Sequence, residues 1–171
     1  MKATGGSFPP KPLTSSGREK LFGRFAYKLT PTKQNPEAIT VLDDWAKKNL
    51  VTVKLDLFGG TIARLHVLAA PRVQALIAAW QDAGVLDDVV TWNGAYAARL
   101  VRGTTRATLS AHAWGSAFDI NAPHNRLGQE PAAIGEPGSV LRLVSIAESN
   151  GWVWGGRFNR KDGQHFELAR V

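Results

Sequence analysis

The residues between 51 and 67 carry the pattern that most restricts the fold of this chain. In VTVKLDL, residues 51–57, every second residue is apolar, which is the period of a half-buried strand. Gly59 and Gly60 are a turn signal, and TIARLHV, residues 61–67, follows as a second strand. Two strands joined so closely must run antiparallel, so the pattern predicts a hairpin in an α+β fold rather than a doubly wound parallel sheet.

Helices and further strands are predicted on both sides of this hairpin. The sequence NPE at 35–37 has the cap, the proline and the acid of a helix start, and this helix is expected to reach about Lys48. Apolar residues recur at helical spacing over 71–84, and Ser139 caps a short helix through about Glu148. The segments WVWGG and HFELARV are read as two closing strands. These elements predict a single domain with a central antiparallel sheet flanked by helices.

Composition limits the chemistry and suggests a partner. The chain has 171 residues and no cysteine, so a metal site would have to use His, Asp or Glu. Residues 1–20 are rich in Gly, Ser and Pro and are predicted to be a flexible arm, which leaves 21–171 for the domain. There are 21 Lys and Arg against 14 Asp and Glu, a net charge of +7. This excess favours a polyanionic partner, which is a nucleic acid, an anionic membrane or a bacterial wall carrying teichoic acid and carboxylates.

One aspartate stands in an apolar run, where a charge is costly to bury unless it meets a cation, a cluster of donors or a metal. Asp119 lies in AFDI, residues 117–120, and His112 precedes it by seven residues. A third ligand is available in DGQH, residues 162–165, where Asp162 precedes His165 across a glycine. Two histidines, one aspartate and a nearby free acid are the inventory of a metallohydrolase.

These residues resemble a known family. The pattern Ser-x-His, then Gly-x-Ala-x-Asp, then Asp or Glu-x-x-His is similar to that of the VanY-type and LAS zinc peptidases, which include D-alanyl-D-alanine carboxypeptidases and the L-alanyl-D-glutamate endopeptidases of phage lysins. The resemblance covers roughly residues 60–171. Upstream of these motifs it includes WNGAYAARLVRG, which is similar to the family segment that carries a substrate-contacting arginine. The residues that match the motifs are Ser110, His112, Gly115, Ala117, Asp119, Asp162 and His165.

The resemblance implies the LAS fold, also described as hedgehog/DD-peptidase-like, and one Zn2+ per chain held by His112, Asp119 and His165. It implies Asp162 as the general base, with Ser110 binding substrate or orienting a ligand. Arg99 aligns best with the family arginine, although Arg102 and Arg106 are close in sequence and either could face the substrate instead. Glu167 shares a strand face with His165, so it is either a partner of that ligand or the base itself.

The resemblance implies hydrolysis of the stem peptide of bacterial peptidoglycan. Residues 1–20 lack the apolar core and cleavage site of a signal peptide, and no segment has the ~18 apolar residues of a membrane span. We therefore expect a monomer that is made in the cytoplasm, does not insert stably into membranes, and reaches the wall after holin-mediated release, as a phage-type endolysin with L-alanyl-D-glutamate endopeptidase activity does. Its expected partners are peptidoglycan and, by charge, anionic wall polymers, but not nucleic acid.

Three alternatives remain. A D-alanyl-D-alanine carboxypeptidase would differ only in the pocket around the scissile bond. A metal-dependent nuclease is suggested by the charge and by His124-Asn125, but the sequence has no second carboxylate cluster and no phosphate-cradling glycine loop. A non-catalytic wall-binding module with a structural zinc would not need a further acid such as Asp162 beside the metal.

Overall fold

The computed structural model describes residues 8–103 and 108–171. Within them, helices and strands are short and alternate along the chain. The helices are α1 (Ser15–Phe22), α2 (Trp45–Asn49), α3 (Ala70–Asp82) and α4 (Leu141–Ser149). The strands are β1 (Tyr27–Leu29), β2 (Ile39–Val41), β3 (Leu50–Leu55), β4 (Thr61–His66), β5 (Trp92–Gly94), β6 (Ala117–Ile120), β7 (Trp152–Trp154) and β8 (His165–Leu168).

The described strands form three separate sheets. β1 pairs with β2 and β3 with β4, both antiparallel, and a four-stranded sheet has the order β5-β6-β8-β7. Within the larger sheet β7 and β8 are antiparallel, with Val153 opposite Glu167. The structure is thus a mixed α and β fold with antiparallel sheets, as predicted, but it does not establish one central sheet flanked by helices.

Two compact units account for the described residues. The hairpin unit comprises residues 13–74 and 94–118 and contains β1 to β4 with α1 and α2. The C-terminal unit comprises residues 8–12, 75–93 and 119–171 and contains α4, β7 and β8. Each unit buries its own large side chains: Phe22, Leu55 and Trp114 are fully buried in the first, and Trp80, Leu143 and Phe166 in the second.

Several local predictions are confirmed. The hairpin forms with Leu50 opposite His66 and Leu55 opposite Thr61. α3 begins one residue before the predicted 71–84 helix and ends two residues before its predicted end. α4 begins at Leu141, whose amide donates to Ser139 Oγ at 3.4 Å, but the residue in the N-cap position is Val140 and not the predicted Ser139. Among the described residues no helix is both long and apolar enough to cross a membrane.

The helix predicted from Asn35 to Lys48 is wrong. Only Trp45–Asn49 is helical, while Ile39–Val41 forms β2 against β1. The β-branched run Ile39-Thr40-Val41 favours a strand, and the Asn-Pro pair serves a turn in which the Asn35 amide donates to Thr32 Oγ1 at 3.0 Å.

The flexible arm predicted over residues 1–20 also needs a correction. Helix α1 begins at Ser15, where the Thr14 side chain accepts from the Gly17 amide and Phe22 is buried. Because most of α1 is polar, the sequence shows no apolar stripe that would have predicted it. Residues 1–7 of the predicted arm lie outside the described residues.

Candidate metal centre

The His112 ring is fixed by a short helical turn and by one backbone carbonyl. Ala111–Trp114 forms a 3-10 turn capped by Ser110, whose Oγ accepts from the His112 amide at 3.3 Å. His112 is buried, and its Nδ1 lies 2.5 Å from the Ala95 carbonyl oxygen. A carbonyl only accepts, so Nδ1 carries the proton and donates it. Nε2 of the neutral ring is then left with the lone pair that a metal ligand needs.

Gly115 is required where the chain leaves this turn toward β6. Its φ of +65° is in the left-handed region, and a Cβ there would lie 2.8 Å from the His66 backbone nitrogen. The Gly115 carbonyl accepts a hydrogen bond from that nitrogen at 2.9 Å. The glycine of the motif therefore sets the direction in which the chain continues from His112.

His165 lies between two carboxylates in the C-terminal unit. Its Nδ1 is 3.1 Å from Asp119 Oδ1, and its Nε2 is 3.1 Å from Glu167 Oε2. Two ligand atoms bound tetrahedrally at ~2.0–2.1 Å would stand ~3.3 Å apart, close to the separation of Nδ1 and Asp119 Oδ1. Glu167, which is only 4% exposed, is then the acceptor for the other ring nitrogen. This is the carboxylate–histidine arrangement that orients metal ligands.

The environment of His165 favours a positive charge. Burial by itself lowers the pKa of this histidine, but the hydrogen bonds and charges of Asp119 and Glu167 outweigh it and raise the pKa to about 10. Without a metal, the protonated ring supplies one positive charge between two carboxylates. A divalent cation would supply that positive charge and displace the proton.

The Asp162–His165 turn is held by the segment that follows β7. Trp154 Nε1 donates to the Gly163 carbonyl at 2.8 Å, and the Asp162 amide donates to the Gly155 carbonyl at 3.0 Å. A Cβ on Gly155 would lie 2.5 Å from the Asp162 carbonyl oxygen, so only glycine allows this approach. The half-buried Asp162 carboxylate accepts from Gln164 Nε2 at 3.1 Å. The segment WVWGG is therefore joined to the turn DGQH by two hydrogen bonds and by the close approach at Gly155.

His112, Asp119 and His165 form a candidate metal-ligand cluster. Each offers one ligand atom, and these atoms all lie within 4.8 Å of one another. In the described parts of the chain no other group of three such side chains is placed to hold a metal. Two imidazoles, one carboxylate and no thiolate fit zinc with an open position.

Of the three arginines considered for substrate contact, Arg99 and Arg102 lie within the described residues. Arg99 is half-buried, and its Nη1 donates to the Leu100 carbonyl at 3.2 Å. Arg102 is exposed. The hydrogen bond from the Gly103 amide lowers the pKa of Glu37, and the charges of Arg102 and Arg99 lower it further. Arg106 lies outside the described residues. Substrate contact by any of the three stays a prediction.

Two buried asparagines and one ion pair support the C-terminal unit, and the sequence reading missed them. Asn121, which adopts a positive φ of 53°, accepts from the Val90 and Thr91 amides through Oδ1. Asn125 Nδ2 donates to the Asn121 carbonyl at 3.0 Å. Glu148 on α4, 1% exposed, accepts from Arg157 Nε at 2.5 Å. An asparagine two residues after the motif aspartate was the available signal, because asparagine is enriched at positive φ.

Comparison with known proteins gives one match. Residues 103–168 match the family model described as D-alanyl-D-alanine carboxypeptidase. No curated protein and no solved structure matches the chain significantly. The matched segment contains every motif residue from Ser110 to His165 and also Glu167, but not Arg99. The match supports the resemblance noted in the sequence, because over residues 103–168 the chain is similar to the VanY-like D-alanyl-D-alanine carboxypeptidase family.

Proposed function

We propose that this protein is a zinc metallopeptidase that hydrolyses the stem peptide of bacterial peptidoglycan. The observation that carries the proposal is the convergence of His112, Asp119 and His165 ligand atoms within 4.8 Å, inside a segment that matches a peptidase family. Asp162, an acid outside the ligand cluster on the tightly held turn before His165, supports a catalytic rather than a structural site. This argues against a wall-binding module without activity.

The chain's own residues have distinct tasks in this proposal. When bound, zinc polarises the scissile carbonyl and makes water a better nucleophile near neutral pH. Asp162 accepts the proton from the attacking water and returns it to the leaving amine. Ser110 caps the turn that carries His112, so we assign it the orienting role. Glu167 holds the His165 ring, and Arg99 is proposed to share the negative charge that develops on the carbonyl oxygen.

The bond that is cut is a finer proposal. We propose L-alanyl-D-glutamate endopeptidase activity of the phage endolysin type. The description of the matched family favours the second candidate, a D-alanyl-D-alanine carboxypeptidase. The two activities leave different products, because the endopeptidase exposes a new D-glutamate amino terminus and the carboxypeptidase releases free D-alanine.

The test is digestion of purified peptidoglycan by protein whose zinc content has been measured. We expect about one zinc per chain, loss of activity with a chelator and recovery when zinc is returned. His112→Ala should lose both zinc and activity. His124→Ala is the matched control, because His124 is exposed and outside the ligand cluster, and it should keep both. Absence of zinc together with no gain on adding it would refute the proposal.

A further inference from the structure

Among the described residues, the excess of positive over negative charge lies in one of the two units. Among the described residues the hairpin unit has 12 Lys and Arg and 5 Asp and Glu, a net charge of +7. The C-terminal unit has 7 basic and 9 acidic residues, a net charge of −2. The unit that contains Asp119, Asp162 and His165 therefore contributes nothing to the excess of positive charge.

The basic side chains of the hairpin unit are mostly at its surface. Ten of the twelve described ones are exposed, and they are spread over the three helices α1, α2 and α3, the strands and the loops. These ten are Lys20, Arg24, Lys28, Lys33, Lys47, Lys48, Lys54, Arg64, Arg72 and Arg102. Such a distribution produces a broad positive field rather than a pocket for one small anion.

Several acids of the same unit are already engaged locally. The Asp43 carboxylate accepts from the Ala26 and Trp45 amides at 2.7 and 3.0 Å, and these hydrogen bonds lower its pKa. Glu37 accepts from the Gly103 amide at 3.0 Å. Asp44 lies 4.0 Å from Lys48 Nζ. The five acids of this unit are too few to balance its twelve basic side chains, so a cationic excess faces solvent.

We propose that the exposed basic surface of the hairpin unit binds a linear phosphodiester polymer of the bacterial wall, and that this binding is separable from peptide hydrolysis. The proposal rests on the proposed function for the location of the partner. A phosphodiester chain is favoured over the carboxylates of peptidoglycan because closely spaced charges condense counterions, whose release drives binding to a spread-out cationic surface.

Two triple variants with the same net charge test the location of the surface. The first is Lys28→Gln, Lys33→Gln and Lys47→Gln in the hairpin unit. The matched control is Lys11→Gln, Arg126→Gln and Arg170→Gln in the C-terminal unit. All six side chains are exposed and none belongs to the ligand cluster or the Asp162 turn. Each variant removes three positive charges, so any difference between them reflects where the charges lie.

Binding is measured by co-sedimentation with intact walls, with walls stripped of phosphodiester polymers, and with soluble teichoic acid as competitor. We expect the hairpin triple variant to bind intact walls roughly tenfold more weakly, as three exposed charge contacts would give, and the control to bind nearly as the parent does. Cleavage of a short soluble stem peptide, measured separately, should be the same for all three proteins.

Other outcomes would overturn this inference. Equal loss in the two variants would show that only net charge matters. Undiminished binding to stripped walls would assign the surface to peptidoglycan carboxylates, and preferential binding of single-stranded DNA over teichoic acid would assign it to nucleic acid. If the parent binds walls as expected but cleaves no stem peptide, the proposed function fails while the binding surface stands.

Discussion

The two acids that neighbour His165 should respond in opposite ways to loss of their charge. Glu167 is 4% exposed, and its Oε2 is 3.1 Å from His165 Nε2, so its carboxylate is committed to holding the ring. Asp162 is only half-buried, and its carboxylate accepts from Gln164 Nε2 rather than from the His165 ring. Asp162→Asn and Glu167→Gln each keep the size of the side chain and remove the charge.

The expected magnitudes differ because the two roles differ. Asp162→Asn removes the proposed proton acceptor, so turnover should fall ~10² to 10⁴-fold, about 3 to 5 kcal/mol in activation free energy, while the zinc content should stay at one per chain. Glu167→Gln leaves Nε2–H with an amide oxygen instead of a carboxylate, so zinc affinity should fall ~10 to 100-fold. With saturating zinc, the Glu167 variant should recover much of its turnover.

The assay measures zinc content, zinc affinity and turnover of a soluble stem peptide on both variants side by side. Asp82→Asn, an exposed acid on α3, makes the same change in net charge and serves as the control. If Asp162→Asn were nearly as active as the parent while Glu167→Gln kept its zinc and lost its turnover, the roles assigned here would be reversed.

Three further predictions test the supports of the site. Gly155→Ala should displace the Asp162 turn, because the new Cβ would lie 2.5 Å from the Asp162 carbonyl oxygen. Turnover should fall more than zinc content, which peptide cleavage and metal analysis measure. Arg157→Met leaves the Glu148 carboxylate buried without its cation and should lower the free energy of unfolding by about 3 kcal/mol. This value is at the lower end for a broken buried ion pair because Arg157 is half exposed. Urea titration measures the loss, and an unchanged midpoint would refute this prediction. In the zinc-free protein the folded state raises the pKa of His165 from 6.5 to about 10, so protonation of His165 should stabilise the fold fully below pH 6.5. This stabilisation should be lost as the pH rises toward about 10. Thermal melts of the zinc-free protein should show the decline, and a melting temperature that does not change with pH would contradict it.

Sequence reasoning succeeded where a local pattern determines the structure. The 51–67 alternation and the apolar stripe of α3 each reflect burial of one face, and the structure has β3, β4 and α3 at those places. It failed over 35–48, where an Asn-Pro pair suits a turn as well as a helix start and where pairing with the distant β1 decided the outcome. Helix α1 was missed because a capping threonine and one buried phenylalanine give little periodic signal.

The cluster of candidate metal ligands could be predicted because motif spacing reports on geometry, whereas the groups that hold these side chains could not. Between His112 and Asp119 the chain needs only one 3-10 turn, a left-handed glycine and the start of β6, which fits within seven residues. The acceptor for His112 Nδ1 is instead the backbone carbonyl of Ala95, 17 residues away, and any residue type supplies a carbonyl. The carbonyl of Gly155 holds Asp162 in the same way. Side chains that could bind a metal can be recognised in the sequence by residue type, whereas any residue can supply a backbone hydrogen-bond partner. A backbone partner can be recognised only where, as at Gly155, the close approach of another atom allows glycine alone.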